Sequence, residues 1–395
     1  MGVARSFDAV VVGAGIAGVA SAFYLQRSGL SVALIDTHHP GWGASGRNPG
    51  FLWLQTKSAG LSMDFSKACR SFAGKLPEQF EDFGFRASGG LIVYRDEAYA
   101  PVADAFVADR VSAGLPVEHL DRTALLDLCP DVGPEVSGAV WNPLDAHQDT
   151  RVLLRHLVRG FEDAGGTVLA PSRVAAIDAA GSVCRGLTLA DGTLLACPRI
   201  VVSAGPWSND LLAPLGLSIP YRPTRFEATE TGPAPFRLGP VVAGQSLFRF
   251  FSPGADAENL PRDATQNIKP QLGFTEQIAS YADGSLQFGC AYEVGSDLDQ
   301  ATVAGQAMGC AITSRNFPAI AGLPVVRQWA GIVAQTPDGL PVIDGSTGID
   351  GLLINSGHFF GNLAGAFSGL ITSQLALGIE PSYPVEGFSL GRFTS

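Results

Sequence analysis

Asp8-Ala-Val-Val-Val-Gly13-Ala-Gly15-Ile-Ala-Gly18 stands near the start of the chain. An apolar run with strand character enters a glycine-rich turn and leaves it as an apolar helix. The next strand ends on Asp36. This is the βαβ fingerprint of a nucleotide site, acidic partner included. Gly13 suits the tight turn. Gly15 lets the backbone approach a pyrophosphate, which the helix N-terminus stabilises, with Ile16 and Ala17 in the first turn. Gly18 lets helix and strand pack closely. Asp36 can accept from both ribose hydroxyls. A glycine-rich turn alone would explain the glycines but not Asp36.

Bulk properties narrow the classes. The 395 residues suggest two or three domains, and 46% hydrophobic against 16% charged residues supply a large core. A net charge of −11 argues against nucleic acid or an anionic membrane as partner. Six scattered cysteines form no C-x-x-C pair and read as reduced thiols of a cytoplasmic protein. The apolar run over 9–25 is broken by three glycines and lacks a basic leader, so it reads as a βα unit rather than a signal peptide or membrane span. No metal site is expected.

Outward from the fingerprint, the pattern predicts strand 8–12, helix 16–28 and strand 31–36, then a Gly/Ser/Asn-rich loop over 41–60. Helices are expected at 61–83, 98–114, 121–128 and 150–164, and a strand at 88–95. Short strands follow at 167–170, 172–178, 184–189 and 194–196, with a hairpin turn at Ala190-Asp191-Gly192-Thr193. A buried strand enters the turn at Ala204 and Gly205 and opens a helix over 207–215. Residues 221–290 alternate as in an antiparallel sheet, with an exposed loop at 254–268. Helix 297–314, strands 325–333, 341–344 and 351–355, and a small-residue helix over 362–377 complete the chain. Nucleotide-type elements thus stand at the start, middle and end, with antiparallel material between them.

Four segments together resemble the D-amino acid oxidase family of flavoproteins, which includes glycine oxidase, monomeric sarcosine oxidase and D-amino acid dehydrogenases. They are the fingerprint with Asp36; Ala44-Ser45-Gly46-Arg47-Asn48-Pro49-Gly50; Val201-Val-Ser-Ala204-Gly205-Pro206-Trp207-Ser208; and Trp329-Ala-Gly331-Ile-Val-Ala-Gln-Thr336-Pro337-Asp338-Gly339-Leu-Pro341, followed by Gly357-His358. The resemblance implies an α/β fold. A Rossmann-like FAD-binding domain (glutathione-reductase/p-hydroxybenzoate-hydroxylase type; 1–60, 141–220 and 325–395) is interleaved with an α+β substrate domain built on an antiparallel sheet (61–140 and 221–324). It implies FAD rather than NAD. Ser45, Arg47 and Asn48 would bind phosphate or ribityl oxygens, with Gly50 closing that loop. Val174 would contact adenine. Ala204, Gly205, Trp207 and Gly331 would line the flavin. Gly357, His358, Phe359, Phe360, Gly361, Asn362 and Leu363 would lie against the isoalloxazine, the helix dipole favouring its anionic reduced form. Arg47 also reads as a surface charge, and His358 as a helix cap.

The chemistry so implied is oxidation of a C–N bond of an amine or amino acid, by hydride transfer to flavin N5, giving an imine. Three departures qualify it. Where glycine oxidase and D-amino acid oxidase carry a carboxylate-binding arginine, this chain has Val333. Where glycine oxidase carries a second, it has Phe360. The expectation is a substrate other than a simple D-amino acid, or replacement of the clamp by Arg249 or Arg47. Phe51, Trp53, Phe359 and Phe360 suggest an aromatic pocket, although core packing explains them equally. The cysteine that ties flavin in monomeric sarcosine oxidase falls at Gly331, so FAD should be non-covalent. Of the four lysines, only Lys57 and Lys269 sit in segments that can approach the flavin, which leaves oxygen or another electron acceptor open. Two alternatives stand beside an oxidase: a dehydrogenase subunit of an opine- or proline-type complex passing electrons to a partner or quinone, and a non-catalytic flavin-binding scaffold. A homo-oligomer or a partner subunit is compatible with either.

Overall fold

The computed structural model describes residues 5–251 and 272–393, without the side chains of Arg249 and Phe250. The expected loop at 254–268 and Lys269 lie outside the described residues.

The opening apolar run forms the strand Ala9–Val12, which sits inside a six-stranded sheet. Strand order across that sheet is Val342–Asp344, Leu352–Ser356, Ile200–Val202, Ala9–Val12, Val32–Ile35, Thr167–Leu169. All neighbours are parallel except the first pair. Strands buried on both faces need continuous apolar runs, and Ala9–Val12, Val32–Ile35 and Ile200–Val202 are such runs. The chain leaves Ala9–Val12 towards Val32–Ile35 on one side, and later supplies Ile200–Val202 on the other. That divergence opens a crevice at the carboxyl ends of the strands. The helix Ile16–Arg27 packs beneath it against the helix Gly361–Leu377. Gly365 and Gly369 permit this approach, because a Cβ at either would overlap the backbone or side chains of Ile16–Ser21.

A four-stranded sheet, Arg5–Ser6, Leu194–Ala196, Val183–Leu189 and Val174–Ala180, stands beside this core. The rest is an eight-stranded sheet. Its order is Val325–Gln335, Arg222–Thr231, Leu286–Val294, Gly273–Ser280, Val241–Gly244, Gly90–Tyr94, Gly138–Asn142, Glu118–Asp121. The sheet is mixed rather than purely antiparallel, since Val241–Gly244 runs parallel to Gly90–Tyr94.

Three elements differ from the sequence pattern for local reasons. The helix expected over 61–83 stops at Ala73, where Gly74 and then Pro77 end it. The helix expected from 297 starts at Val303, where Thr302 accepts from Gly305 N–H and caps it. Within the alternating stretch a short helix, Ser246–Phe251, replaces strand. A buried carboxylate from a distant strand, Glu276, accepts from Ser246 N–H at 3.1 Å and from Ser246 Oγ at 3.2 Å.

Candidate active site

The fingerprint turn folds through its backbone. Gly13 adopts φ +105°, and a Cβ there would strike the Ser203 carbonyl. Gly18 meets the Gly13 carbonyl just as closely, so it packs rather than lines. Gly15 caps the helix with no side-chain partner. Ile16 N–H instead donates to Ser45 Oγ at 2.9 Å, tying the small-residue loop onto the turn. Asp36 is engaged by backbone: its carboxylate accepts from Ala14 N–H at 2.7 Å and His38 N–H at 2.8 Å.

These elements border a cavity of about 440 Å³. Gly13, Gly15, Ile16, Ala17, Asp36, Ser45, Asn48, Val174, Ala204, Gly205, Trp207, Gly357, His358, Phe359, Gly361 and Asn362 all line it. His358 Nε2 hydrogen-bonds Asn355 Oδ1 at 2.8 Å, while Nδ1 is shielded and has no partner among the described residues. Burial pushes the imidazole down to about 4, so the ring is neutral at pH 7. A helix start whose N-cap glycine offers no side chain, a glycine cradle, an acidic strand end and an orphaned ring nitrogen on one cavity fit a dinucleotide.

A second cavity of about 110 Å³ adjoins the first, sharing Ala44, Asn48, Val333, Phe359 and Asn362 as walls. The large sheet supplies its floor. Phe226 with Ala228, Thr275 with Gln277, and Gly331 with Val333 line it. Register irregularities fall between Phe226 and Ala228 and between Phe274 and Gln277, and both members of each pair still face the cavity. Phe51, Trp53, Phe251, Phe359 and Phe360 close the other side. Phe359 and Phe360 meet edge to face at 4.6 Å between centroids, and Phe251 lies 6.1 Å from Phe360.

The remaining candidates fall elsewhere. Arg47 borders the second cavity, but its guanidinium turns away. It lies over Trp42 at 4.5 Å and donates to Ala330 O at 2.7 Å and Asp299 O at 3.3 Å. Asn48 spends its amide on Ala44 O and Ser45 O, and its Oδ1 on Gly50 N–H, which shapes the loop. Gly50 packs against the Gln148 carbonyl, and Leu363 sits in the apolar core. Lys57 is buried behind Phe360. Arg249 lies on the helix that brings Leu247 and Phe251 to the cavity, with its side chain outside the described set.

Sequence reading missed Trp42, Phe226, Thr275, Gln277 and Cys290 as wall residues. Alternation marks one face of each strand, but only the register between strands shows that these faces converge.

The model of a protein family described as FAD dependent oxidoreductase matches residues 8–376, nearly the whole chain. The chain belongs to the FAD-dependent oxidoreductase family. One of the subunits of opine oxidase from Rhizobium meliloti is 25% identical, across 98% of this chain and 97% of that protein. Glycine oxidase of Bacillus licheniformis is 24% identical, across 95% and 94%. Among solved structures, glycine oxidase from Geobacillus kaustophilus superposes with a TM-score of 0.85 at 23% identity, covering 98% and 99% of the two chains. L-proline dehydrogenase from P. horikoshii gives 0.82 at 20% identity, covering 99% of each. The expected fold and the FAD dependence of the family are thereby established for this flavoprotein. No helix among the described residues is long and apolar enough to cross a membrane.

Proposed function

We propose that this flavoenzyme oxidises the C–N bond of an amine that does not present its carboxylate in the arginine-clamped pose: a secondary or cyclic amine, or an unusual amino acid. The observation that carries this reading is the second cavity. Val333 and Phe360, the two positions where the resemblance calls for arginine, both face it as apolar walls, and the Arg47 guanidinium is committed to backbone carbonyls. FAD, when bound along the crevice, supplies the two-electron acceptor. The chain's own groups then orient and desolvate the amine. The aromatic walls hold its carbon skeleton and exclude water, and Thr275 and Gln277 offer hydrogen bonds from the sheet. Gly331 offers no thiol, which supports non-covalent FAD. The six free cysteines fit a reducing cytoplasm.

The test is an anaerobic screen of amines, N-methyl amino acids and opines against the holoenzyme, following loss of flavin absorbance. Bleaching by amines without an α-carboxylate supports the reading. Bleaching by simple D-amino acids alone, unaffected by substitution of Arg249 or Arg47, overturns it. The similarity to an opine oxidase component favours a second reading, a dehydrogenase that passes electrons to a partner. Steady peroxide formation by the lone chain in air separates an oxidase from it.

A further inference from the structure

Lysine is costly to bury without an acid beside it. Lys57 is 4% exposed, at the end of the all-buried stretch Phe51–Lys57. Among the described residues it has no ion-pair partner. Within the described residues its Nζ makes one hydrogen bond, to Thr56 Oγ1 at 3.1 Å, and lies 2.8 Å from the ring centroid of Phe360. Thr56 and Phe360 both line the aromatic cavity. The amine of Lys57 therefore sits one side chain behind the cavity wall, linked to it by a hydroxyl.

The groups facing Lys57 come from three elements. Asp145, on the turn before the short strand Ala146–His147, already accepts from Leu54 N–H, Gln55 Nε2 and Asn142 Nδ2 at 2.6, 2.7 and 2.8 Å. Arg110, on the helix Ala100–Ser112, is held by Gln55 O and Phe251 O, pairs with the Asp109 carboxylate, and opposes a second positive charge. Cys69, on the helix Leu61–Ala73, is a buried thiol whose pKa burial raises. Burial holds Lys57 well below the usual lysine range, and the attraction of Asp145 only partly offsets this.

We propose that Lys57, through the Thr56 hydroxyl, takes up the proton that the substrate ammonium must lose before its C–N bond can be oxidised. This rests on the amine-oxidation reading above. The substrate N–H bond breaks as its proton passes to Thr56 Oγ1. The hydroxyl's own proton passes to the lone pair on Lys57 Nζ. The substrate leaves the step as a neutral amine and Lys57 as an ammonium, with no change in total charge or oxidation state. The ammonium returns its proton to solvent as product departs. A neutral Lys57 also explains how a cavity walled by aromatic faces can admit an organic cation without repulsion from behind. Lys57 acts through Thr56 and is a positioning residue.

The experiment mixes holoenzyme anaerobically with the fastest-bleaching amine of the screen and follows the bleaching rate from pH 6 to 11. Wild type is expected to reach its plateau below the pKa of the free amine. Lys57→Met should move that limb up to the free amine's own pKa, with a loss of about 100-fold at pH 7 that closes at high pH. Thr56→Val should behave likewise, and Thr56→Ser should restore the wild-type profile. An unshifted profile in Lys57→Met overturns the proposal. A second measurement needs no substrate: denaturant stability of wild type and Lys57→Met against pH. A neutral buried lysine binds fewer protons folded than unfolded, so wild type should gain on the variant as pH rises towards 10.5. A constant difference overturns the proposal on its own. Failure of every amine to bleach wild type overturns the amine-oxidation reading, and the stability curves tell that failure apart.

Discussion

The nucleotide crevice and the aromatic cavity adjoin, yet they are built by different means. The crevice is made mainly of backbone: glycines, helix starts and strand ends, closed by main-chain approach at Gly13 and Gly18. The cavity is made of side chains drawn from four strands of one sheet, the loop 44–56, the short helix Ser246–Phe251 and the start of the last helix. A backbone cradle tolerates no side chain where main chain meets main chain, as at Gly13 and Gly18, but is indifferent to most side chains around it. A side-chain cavity can be refilled residue by residue while the fold persists. On the function proposed above, one region fixes the cofactor, and the other is free to change the substrate.

The largest effect that can break this contrast is expected at Gly13. Gly13→Ala forces a methyl group into the Ser203 carbonyl at φ +105°, costing about 4 kcal/mol. The purified variant should be almost colourless, and its denaturation midpoint should fall. Normal flavin content would show that the cradle is softer than the packing implies.

Acid should act next, through His358. Its ordinary value of 6.5 is lowered to about 4 by burial, so the unfolded chain binds more protons between those values. The stability it contributes is complete above pH 6.5 and is lost as pH falls towards 4. His358→Asn should flatten that part of the stability curve, read by denaturant titration at stepped pH. The other buried ring, His147, is pushed down to about 3 and should keep its own acid limb in the variant.

Smaller effects belong to the cavity. Phe360→Ala removes a half-buried ring and opens the wall in front of Lys57, at about 2 kcal/mol of stability. Flavin content should stay near wild type while the range of bleaching amines widens towards bulkier ones. Smallest is Thr275→Val, which deletes one hydroxyl from the floor and the bond it accepts from Gln277 Nε2 at 3.2 Å. About 1 kcal/mol is expected, read as a roughly five-fold rise in KM with kcat held. A fall in kcat instead would mean that the floor orients the reacting carbon.

Much of the crevice was legible because its signals are local. Gly13, Gly15 and Asp36 lie within one βαβ unit, and their spacing is set by the lengths of one strand and one helix. The cavity was legible only in part. Phe51, Trp53 and Phe360 could be named from composition, but nothing local separated a wall from a core. Arg47 shows the same limit: a cation beside the pyrophosphate loop turns instead to Ala330 O, a partner 283 residues away. The short helix Ser246–Phe251 was hidden for a related reason, since the carboxylate that accepts from its first N–H belongs to Glu276 on a different strand.

Residue order was enough for the cradle, the family and hence the cofactor, because glycine conformations and apolar strand runs act over a few neighbouring residues. Long-range packing was needed to settle which faces of the large sheet meet the last helix, that Phe360 covers a lysine, and that this lysine has no ion-pair partner among the described residues. Those are consequences of register and of burial, and burial depends on everything that packs around a group rather than on its neighbours in the chain.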